Sequence, residues 1–379
     1  MFEVIPFGKS FTVGPELEYI SKAVAYGHLS GDGQFTHLCN KWFVENLRCS
    51  HALLTHSCTA ALELAAIIAN VGEGDEIIMP SYTFVSTANA FVLRGAKPVF
   101  IDIRPDNLNI DEALIESAIT PHTRAIVPMH YAGVACDMDR IGDIAARHNL
   151  VVIEDAAQAL LATYKGRALG TIGDLGCLSF HDTKNVICGE GGALLFRDSR
   201  FYERAEIVRE KGTNRKAFFR GQVDKYSWVD IGSSYLPGEL TAAFLFAQLE
   251  NAKLITKRRL ALCKAYRDRL SHLEEEALFS LPQVHPDCAA TGHIFFILAR
   301  TAEEREALRL HLLAEKIHAV THYVPLHSSL AGLRFGRVAG SMSVTDHVSE
   351  TLLRLPLFYE MTEGQVDRVV DSIERFFRQ

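Results

Sequence analysis

The sequence contains no apolar run of the ~18–20 residues that a helix needs to cross a bilayer, and it contains no Cys-x-x-Cys pair. Its eight cysteines (39, 49, 58, 136, 177, 188, 263 and 288) are scattered, which fits reduced thiols better than a disulfide framework or a zinc site. The 16 histidines show no His/Cys ligand spacing, so no metal site is expected. The N-terminus, Met1-Phe2-Glu3-Val4-Ile5-Pro6, lacks the basic and long apolar regions of a signal peptide. A cytoplasmic location without a membrane partner is the expectation. Surplus positive charge is missing too. A net charge of −7 argues against sequence-independent nucleic-acid binding, which relies on basic surface, but leaves room for a local anion site. No internal repeat or low-complexity segment is visible.

What the chain does have is length, and a regular alternation of patterns. At 379 residues it exceeds one typical core, so two domains are expected. A hydrophobic content of 48% with 22% charged residues is ordinary for a globular protein. Seven apolar, strand-like runs lie at 52–55, 76–79, 98–101, 125–127, 151–153, 176–180 and 192–196. Helical patterns separate the earlier ones, at 60–70, 85–93, 111–119 and 139–148. Strands that are apolar throughout, alternating with helices, predict a buried, mostly parallel sheet covered by helices. After residue 196 a charged helix (199–211) leads into a polar loop (212–234). A long helical pattern then runs from about 239 to 273, with room for a break. A smaller α+β unit follows: a strand at 293–298, a helix at 303–316, a strand at 319–324 and two further helices. The last opens on Thr362-x-x-Gln365, a capping box. A boundary near residue 250 divides the chain into domains 1–250 and 251–379.

In open α/β sheets, ligands gather beyond the carboxyl ends of the strands, and four features fall at such ends. Ser57-Cys58-Thr59 stands between a strand and a helix. Its amides and hydroxyls suit a phosphate at the helix N-terminus, although taken alone it reads better as a simple N-cap. Tyr82-Thr83-Phe84 offers an aromatic face, or plain core packing. Asp155 closes the run Val151-Val152-Ile153-Glu154 and, if buried, needs a cationic or hydrogen-bonding partner. Lys184 lies in Ser179-Phe180-His181-Asp182-Thr183-Lys184-Asn185, a polar turn between two apolar strands that can desolvate and aim an amine. A phosphate cradle, an aromatic face, a strand-end aspartate and a turn lysine together are what pyridoxal phosphate requires.

The runs Pro80-Ser81-Tyr82-Thr83-Phe84-Val85-Ser86-Thr87-Ala88-Asn89, Glu154-Asp155-Ala156-Ala157-Gln158 and Gly170-Thr171-Ile172-Gly173-Asp174, with Ser179-Phe180 to Lys184, are specific in combination. Through them the chain resembles the sugar aminotransferases of the DegT/DnrJ/EryC1/StrS family, and the resemblance extends from Gly31-Asp32-Gly33 to the C-terminal helix. It implies the pyridoxal phosphate fold type I: a large, mostly parallel seven-stranded sheet domain and a smaller C-terminal α+β domain. It also implies roles, position by position. Lys184 matches the family's Schiff-base lysine, and Asp155 the carboxylate at the cofactor's ring nitrogen. Gln158 matches a side chain touching the ring or its hydroxyl, and Phe84 the aromatic stacked on the ring. Ser179, Thr59 and the backbone at Cys58 match the phosphate cradle. There are two departures. Many members have glycine where Cys58 stands. Many also carry an asparagine, reaching from the partner subunit to the phosphate, where Leu236 stands, so Ser233 or Ser234 is a candidate replacement.

The resemblance further implies a homodimer with shared active sites, a nucleotide-linked keto-sugar substrate and L-glutamate as amino donor. Arg215, Arg220 and Lys225, in an otherwise acidic chain, are candidates for the nucleotide diphosphate, and the run His322-Tyr323-Val324-Pro325-Leu326-His327 makes His327 a candidate near the sugar. Other outcomes stay open at this level: the 4-amino gluco epimer, a 3-amino sugar, or a non-catalytic protein that binds cofactor or sugar nucleotide. Sugar dehydration is disfavoured, because relatives with that chemistry replace the lysine with histidine.

Overall fold

A computed structural model describes residues 3–378. Its centre is a sheet ordered 51–55, 192–196, 175–179, 151–155, 123–126, 76–80, 97–101 and 337–338. The seven strands read from the sequence are all present, and Arg337–Val338 adds a two-residue eighth beside Val99 and Phe100. Neighbouring strands run parallel except Gly192–Phe196, which is antiparallel to both of its neighbours. Glu76–Pro80 and Leu175–Ser179 are buried at every position, as expected of strands covered by helices on both faces. Two apolar layers fill those faces.

Two helices precede the region of regular alternation, Glu16–Ala25 and Gln34–Leu47. The second starts at Gly33, whose side cannot cap it. The Glu239 carboxylate does so instead, accepting from the amides of Gly33 (3.1 Å), Phe35 (2.7 Å) and Thr36 (3.0 Å). A Cβ on Gly33 would fall 2.5 Å from that carboxylate, so the close approach requires glycine. A cap supplied from so far along the chain leaves no local N-cap pattern to read.

The long helical pattern is broken at Asn251 into Glu239–Glu250 and Ala252–Glu275. The second helix joins two cores: Ala252 and Ile255 pack under the large sheet, whereas Leu262, Tyr266, Leu270 and Leu273 pack into a separate cluster. That cluster is built on an antiparallel sheet of Phe279–Ser280, Phe296–Ala299 and Leu352–Arg354. Ile5, from the N-terminal segment, is buried there and pairs with Ile317. The closing helix Glu363–Arg378 has the predicted capping box, with Thr362 N donating to Gln365 Oε1 (3.0 Å) and Gln365 N to Thr362 Oγ1 (3.2 Å).

Three local expectations need correction. Residues 319–324 form no strand and pair only through a bridge between Val320 and Arg354. The ladder stops because the His322 carbonyl accepts from the Tyr82 hydroxyl instead, and Pro325 follows with no amide to donate. Three helices, not two, follow that segment: Leu330–Phe335, Ser343–Thr351 and Glu363–Arg378. The loop 212–234 also contains a short helix, Arg215–Phe219. Among the described residues no helix is long and apolar enough to cross a membrane, and no group of side chains could hold a metal ion.

Candidate active site

The carboxyl ends of 51–55, 76–80, 151–155 and 175–179 open into one cavity of about 940 Å³. All seven cofactor residues expected from the sequence line it: Cys58, Thr59, Phe84, Asp155, Gln158, Ser179 and Lys184. The smaller unit contributes the opposite wall with His322, Tyr323 and Arg354.

Lys184 stands in the loop joining the antiparallel strands Leu175–Ser179 and Gly192–Phe196. That loop is closed by backbone bonds from Phe180 N to Gly191 O (2.8 Å), Cys188 N to Phe180 O (2.8 Å) and Asp182 N to Gly189 O (3.0 Å). The next residue, Asn185, is buried and anchored. Its Nδ2 donates to Thr291 O (3.0 Å), and its Oδ1 lies 2.9 Å from His293 Nδ1. Phe180 stacks on Phe43 with ring centroids 5.5 Å apart. The lysine is therefore fixed from both sides, while its amine makes no ion pair among the described residues. Burial draws the Lys184 amine below the ordinary lysine pKa, against the opposing pull of Cys58 and Asp155. A larger neutral fraction is what a nucleophilic amine needs.

Asp155 ends its strand with 4% of its surface exposed. Thr87 Oγ1 donates to its Oδ2 (2.6 Å) and Ala157 N to its Oδ1 (3.1 Å). Both bonds orient the carboxylate, and neither neutralises it. Gln158 is held at both ends, its Oε1 accepting from Ala132 N (2.7 Å) and its Nε2 donating to the Tyr323 hydroxyl (2.9 Å). Phe84 is 55% exposed and lies against the cavity, its ring centroid 6.3 Å from that of Tyr323.

The turn before the helix Cys58–Ile68 is shaped to receive an anion. Ser57 caps the helix by accepting from Ala60 N (3.0 Å), which leaves the amides of Cys58 and Thr59 as donors at its start. Thr59 Oγ1 donates to Ser86 Oγ (2.8 Å), and Ser179 closes the neighbouring strand. Gly192 permits the arrangement: a Cβ there would stand 2.4 Å from Cys58 N and 2.3 Å from the Ser57 carbonyl carbon. The side chain of Cys58 is accommodated beside Lys184 and Asp155. Burial, reinforced by Asp155, pushes its thiol well above the usual cysteine pKa, so it stays protonated and inert. The residues present thus fit pyridoxal phosphate: an amine for its aldehyde, a carboxylate for its ring nitrogen and a helix start for its phosphate.

Beneath Asp155, His130 and Glu154 form a pair with no exposed surface, Nε2 to Oε2 at 2.8 Å. Cys136 N donates to His130 Nδ1 (3.2 Å), so Nε2 carries the proton given to Glu154. Glu154 also accepts from the amides of Gly170 (2.8 Å), Ile172 (2.7 Å) and Gly173 (2.6 Å), tying the segment 170–173 to the strand that ends in Asp155. Glu154→Ala leaves these buried donors without an acceptor. We expect it to lower stability by about 3–5 kcal/mol, the range for breaking a buried pair. A urea midpoint unchanged from wild type would refute that role.

The four substrate candidates lie outside the cavity formed by this chain. Arg215 Nη1 contacts Glu210 (3.0 Å) and Arg220 Nη2 contacts Glu206 (2.9 Å), while Lys225 is exposed. His327 is held by Ser81, with Nδ1 2.7 Å from Oγ, and lies 3.3 Å from Asp346. Ser233 and Ser234 are exposed, and Leu236 packs against Gly31. From the run 322–327 it is His322 and Tyr323 that enter the cavity. His322 Nδ1 lies 2.9 Å from the Tyr131 hydroxyl. Burial, then the charges of Arg354 and Lys184, lower the His322 pKa to about 2, so it stays neutral. Thr87 and Asn185 lie inside runs quoted above without a role assigned to them, and Arg354 lies outside every such run. Thr87 was readable in principle, one helical turn into the segment that begins at Phe84.

A desolvated amine, an oriented carboxylate and an anion-accepting helix start, gathered at the edge of a mostly parallel sheet, define a pyridoxal phosphate-dependent enzyme of fold type I. Residues 13–374 match the DegT/DnrJ/EryC1/StrS aminotransferase family. The chain belongs to that family and is a pyridoxal phosphate-dependent aminotransferase. Over 331 residues it is 35% identical to the uncharacterized protein MJ1066 of Methanocaldococcus jannaschii, covering 86% of this chain and 85% of that one. The structure of DesV from S. venezuelae, in complex with a ketimine intermediate, superposes with a TM-score of 0.90 at 30% identity over 100% of both chains. The aminotransferase TlmJ from Streptoalloteichus hindustanus superposes with a TM-score of 0.91 at 27% identity over 99% of both.

Proposed function

We propose that the protein transfers the amino group of L-glutamate to C4 of dTDP-4-keto-6-deoxyglucose, giving dTDP-4-amino-4,6-dideoxygalactose, as in the synthesis of enterobacterial common antigen. The observation that carries this reading is the segment that joins the Lys184 site to the loop beyond it. The runs Ser179 to Asn185, Glu210-Lys211-Gly212-Thr213-Asn214-Arg215 and Phe219-Arg220-Gly221-Gln222-Val223-Asp224-Lys225-Tyr226 resemble the transaminase of that pathway.

Pyridoxal phosphate, when bound, supplies an aldehyde that condenses with amines and a protonated ring that accepts electron density. The chain supplies the rest. Asp155 would hold the proton on the ring nitrogen. With the cofactor in place, Lys184 Nζ would take the proton from the α-carbon of the donor and pass it to the cofactor carbon that keeps the amino group, and with the sugar it would carry a proton the other way, from that carbon to C4. Ser179 and Thr59, with the amide of Cys58, would hold the phosphate, and the wall of His322 and Tyr323 would exclude water from the amine.

The working unit is a homodimer with shared sites. Trp228 (80% exposed), Phe219, Tyr226 and Val229 give the loop 212–234 an uncovered apolar set, and its arginines lie away from their own cavity. In this arrangement Arg215, Arg220 and Lys225 reach the nucleotide diphosphate held by the other subunit, and Ser233 or Ser234 takes the place of the usual asparagine.

Two measurements test the reading. Initial rates with both substrates varied should give the parallel lines of ping-pong kinetics. Lines that intersect would mean that both substrates must be bound together. The C4 configuration of the product decides the sugar: a galacto product supports the proposal, a gluco product assigns the epimer, and no turnover of this keto sugar overturns the substrate.

A further inference from the structure

We propose that His293 is a positioning residue for Lys184: its Nε2 accepts a hydrogen bond from the lysine amine and keeps that amine aimed whenever it is free. The inference rests on the reading above of Lys184 as the reacting amine, and on no particular sugar. His293 stands just before the strand Phe296–Ala299 and lines the cavity with only 8% of its surface exposed. Its backbone is held from behind. The buried Arg259 guanidinium donates to Gly292 O (2.9 Å) and to His293 O (2.8 Å).

The tautomer of the ring follows from its neighbour. Asn185 Nδ2 donates to Thr291 O (3.0 Å), and a carbonyl oxygen can only accept, so the orientation of the amide is settled. Asn185 Oδ1 is then the atom 2.9 Å from His293 Nδ1, and it too can only accept. The ring proton therefore sits on Nδ1. Burial, then the charge of Lys184 and those of Arg259, Arg354 and His322, hold His293 well below the usual histidine pKa, so the ring stays neutral. A neutral ring protonated at Nδ1 presents a lone pair at Nε2. Among the described residues no donor meets it.

Lys184 is the donor this lone pair lacks. It precedes Asn185 in the chain, so the residue that fixes the ring also fixes the backbone that carries the amine. Its charge is the first felt at His293 after burial. The lysine amine makes no hydrogen bond of its own among the described residues. The neighbouring polar groups are engaged elsewhere: His322 Nδ1 faces the Tyr131 hydroxyl (2.9 Å), and the Tyr323 hydroxyl accepts from Gln158 (2.9 Å). An amine that gives one N–H to Nε2 keeps its own lone pair free and pointed. Without that bond the same amine swings, and a misplacement of about 1 Å costs up to about a hundredfold in rate.

Lys184 acts in both half-reactions, whereas a residue that touches only the donor or only the sugar acts in one. His293→Asn separates the roles: its amide N–H stands where Nδ1 stood, so Asn185 keeps a donor, while the acceptor at Nε2 is lost. Holoenzyme carrying it should keep the absorbance band near ~410–430 nm. Its single-turnover rates with glutamate, and with the keto sugar from the pyridoxamine form, should fall together by about tenfold to a hundredfold, with half-saturating concentrations unchanged. His293→Gln, which sets an amide oxygen near the place of Nε2, should recover part of the loss. Apoenzyme gives a second readout. By ¹⁵N NMR, His293 should be neutral and protonated at Nδ1 near neutral pH, and its Nε2 signal should move in Lys184→Ala. Wild-type rates in His293→Asn, a loss confined to one half-reaction, a proton on Nε2, or an Nε2 signal indifferent to Lys184→Ala would each overturn the proposal. Should the asparagine variant not fold, the NMR signals decide alone. The glutamate and NMR arms need no sugar, so a failure of the proposed sugar is read separately. A failure of Lys184 as nucleophile is separate too, because it shows as a band that persists in Lys184→Ala.

Discussion

Lys184→Ala should abolish transamination, with a loss of roughly 10⁴-fold or more, because one group serves as both nucleophile and proton carrier. The visible absorbance of lysine-bound cofactor, near ~410–430 nm, should vanish. The fold should survive, for a reason that can be checked. Lys184 makes no ion pair among the described residues, and burial lowers its pKa. At neutral pH the unfolded chain therefore binds the lysine proton more tightly than the folded chain does, and the charged amine detracts from stability. That deficit fades as the pH rises through the unfolded value of about 10.4. Apoenzyme carrying alanine should thus be at least as resistant to urea as wild type at pH 7, with the difference gone above pH ~10.5. A variant that keeps the absorbance band would place the nucleophile elsewhere. One that unfolds would show that the lysine has a structural partner.

Asp155→Asn should be the next most damaging change, lowering kcat by about 10²–10³-fold, the range for removing one preorganised electrostatic group. Asparagine preserves the volume of the side chain: its Oδ1 can accept from Ala157 N and its Nδ2 can donate to the Thr87 hydroxyl oxygen, so both groups that orient Asp155 keep a partner. What disappears is the negative charge that keeps the cofactor's ring nitrogen protonated. Cofactor should still attach to Lys184, so the absorbance band persists while turnover collapses. A kcat within a few-fold of wild type would show that another group supplies the charge. The pair of variants separates attachment from electron withdrawal. The lysine change removes both band and turnover, and the aspartate change removes turnover alone.

The readable and unreadable parts of this protein differ in the range of the interactions that set them. The strand that ends at Asp155 announces itself because continuous apolar residues followed by two carboxylates are a local pattern. The Ser57 cap and the capping box at Thr362 are likewise settled by neighbours in the chain, whereas the loop around Lys184 is recognisable locally but anchored by Thr291, His293 and Phe43. Gln34–Leu47 is not, because its cap is Glu239, and the position of Gly33 makes sense only once that carboxylate is beside it. The segment 319–324 looks like a strand by composition, yet the Tyr82 hydroxyl takes its carbonyl and turns His322 and Tyr323 into the cavity. His327 shows the converse: a histidine at an inviting place in the sequence is spent on Ser81 and Asp346.

By itself the sequence determined the sheet with its crossover helices and the cofactor, and it singled out Lys184 and Asp155 as the residues proposed to carry the chemistry. These depend on periodicity and on residues placed at strand ends, both of which a linear chain displays. Only the tertiary structure decided that a wall from the smaller unit closes over the amine. It also revealed that Asp155 is oriented by Thr87 and that His293 brings an unmet acceptor to the site. Those facts arise from distant segments meeting in a low-dielectric cavity, where an unpaired charge or a lowered pKa exists only after folding has removed the water.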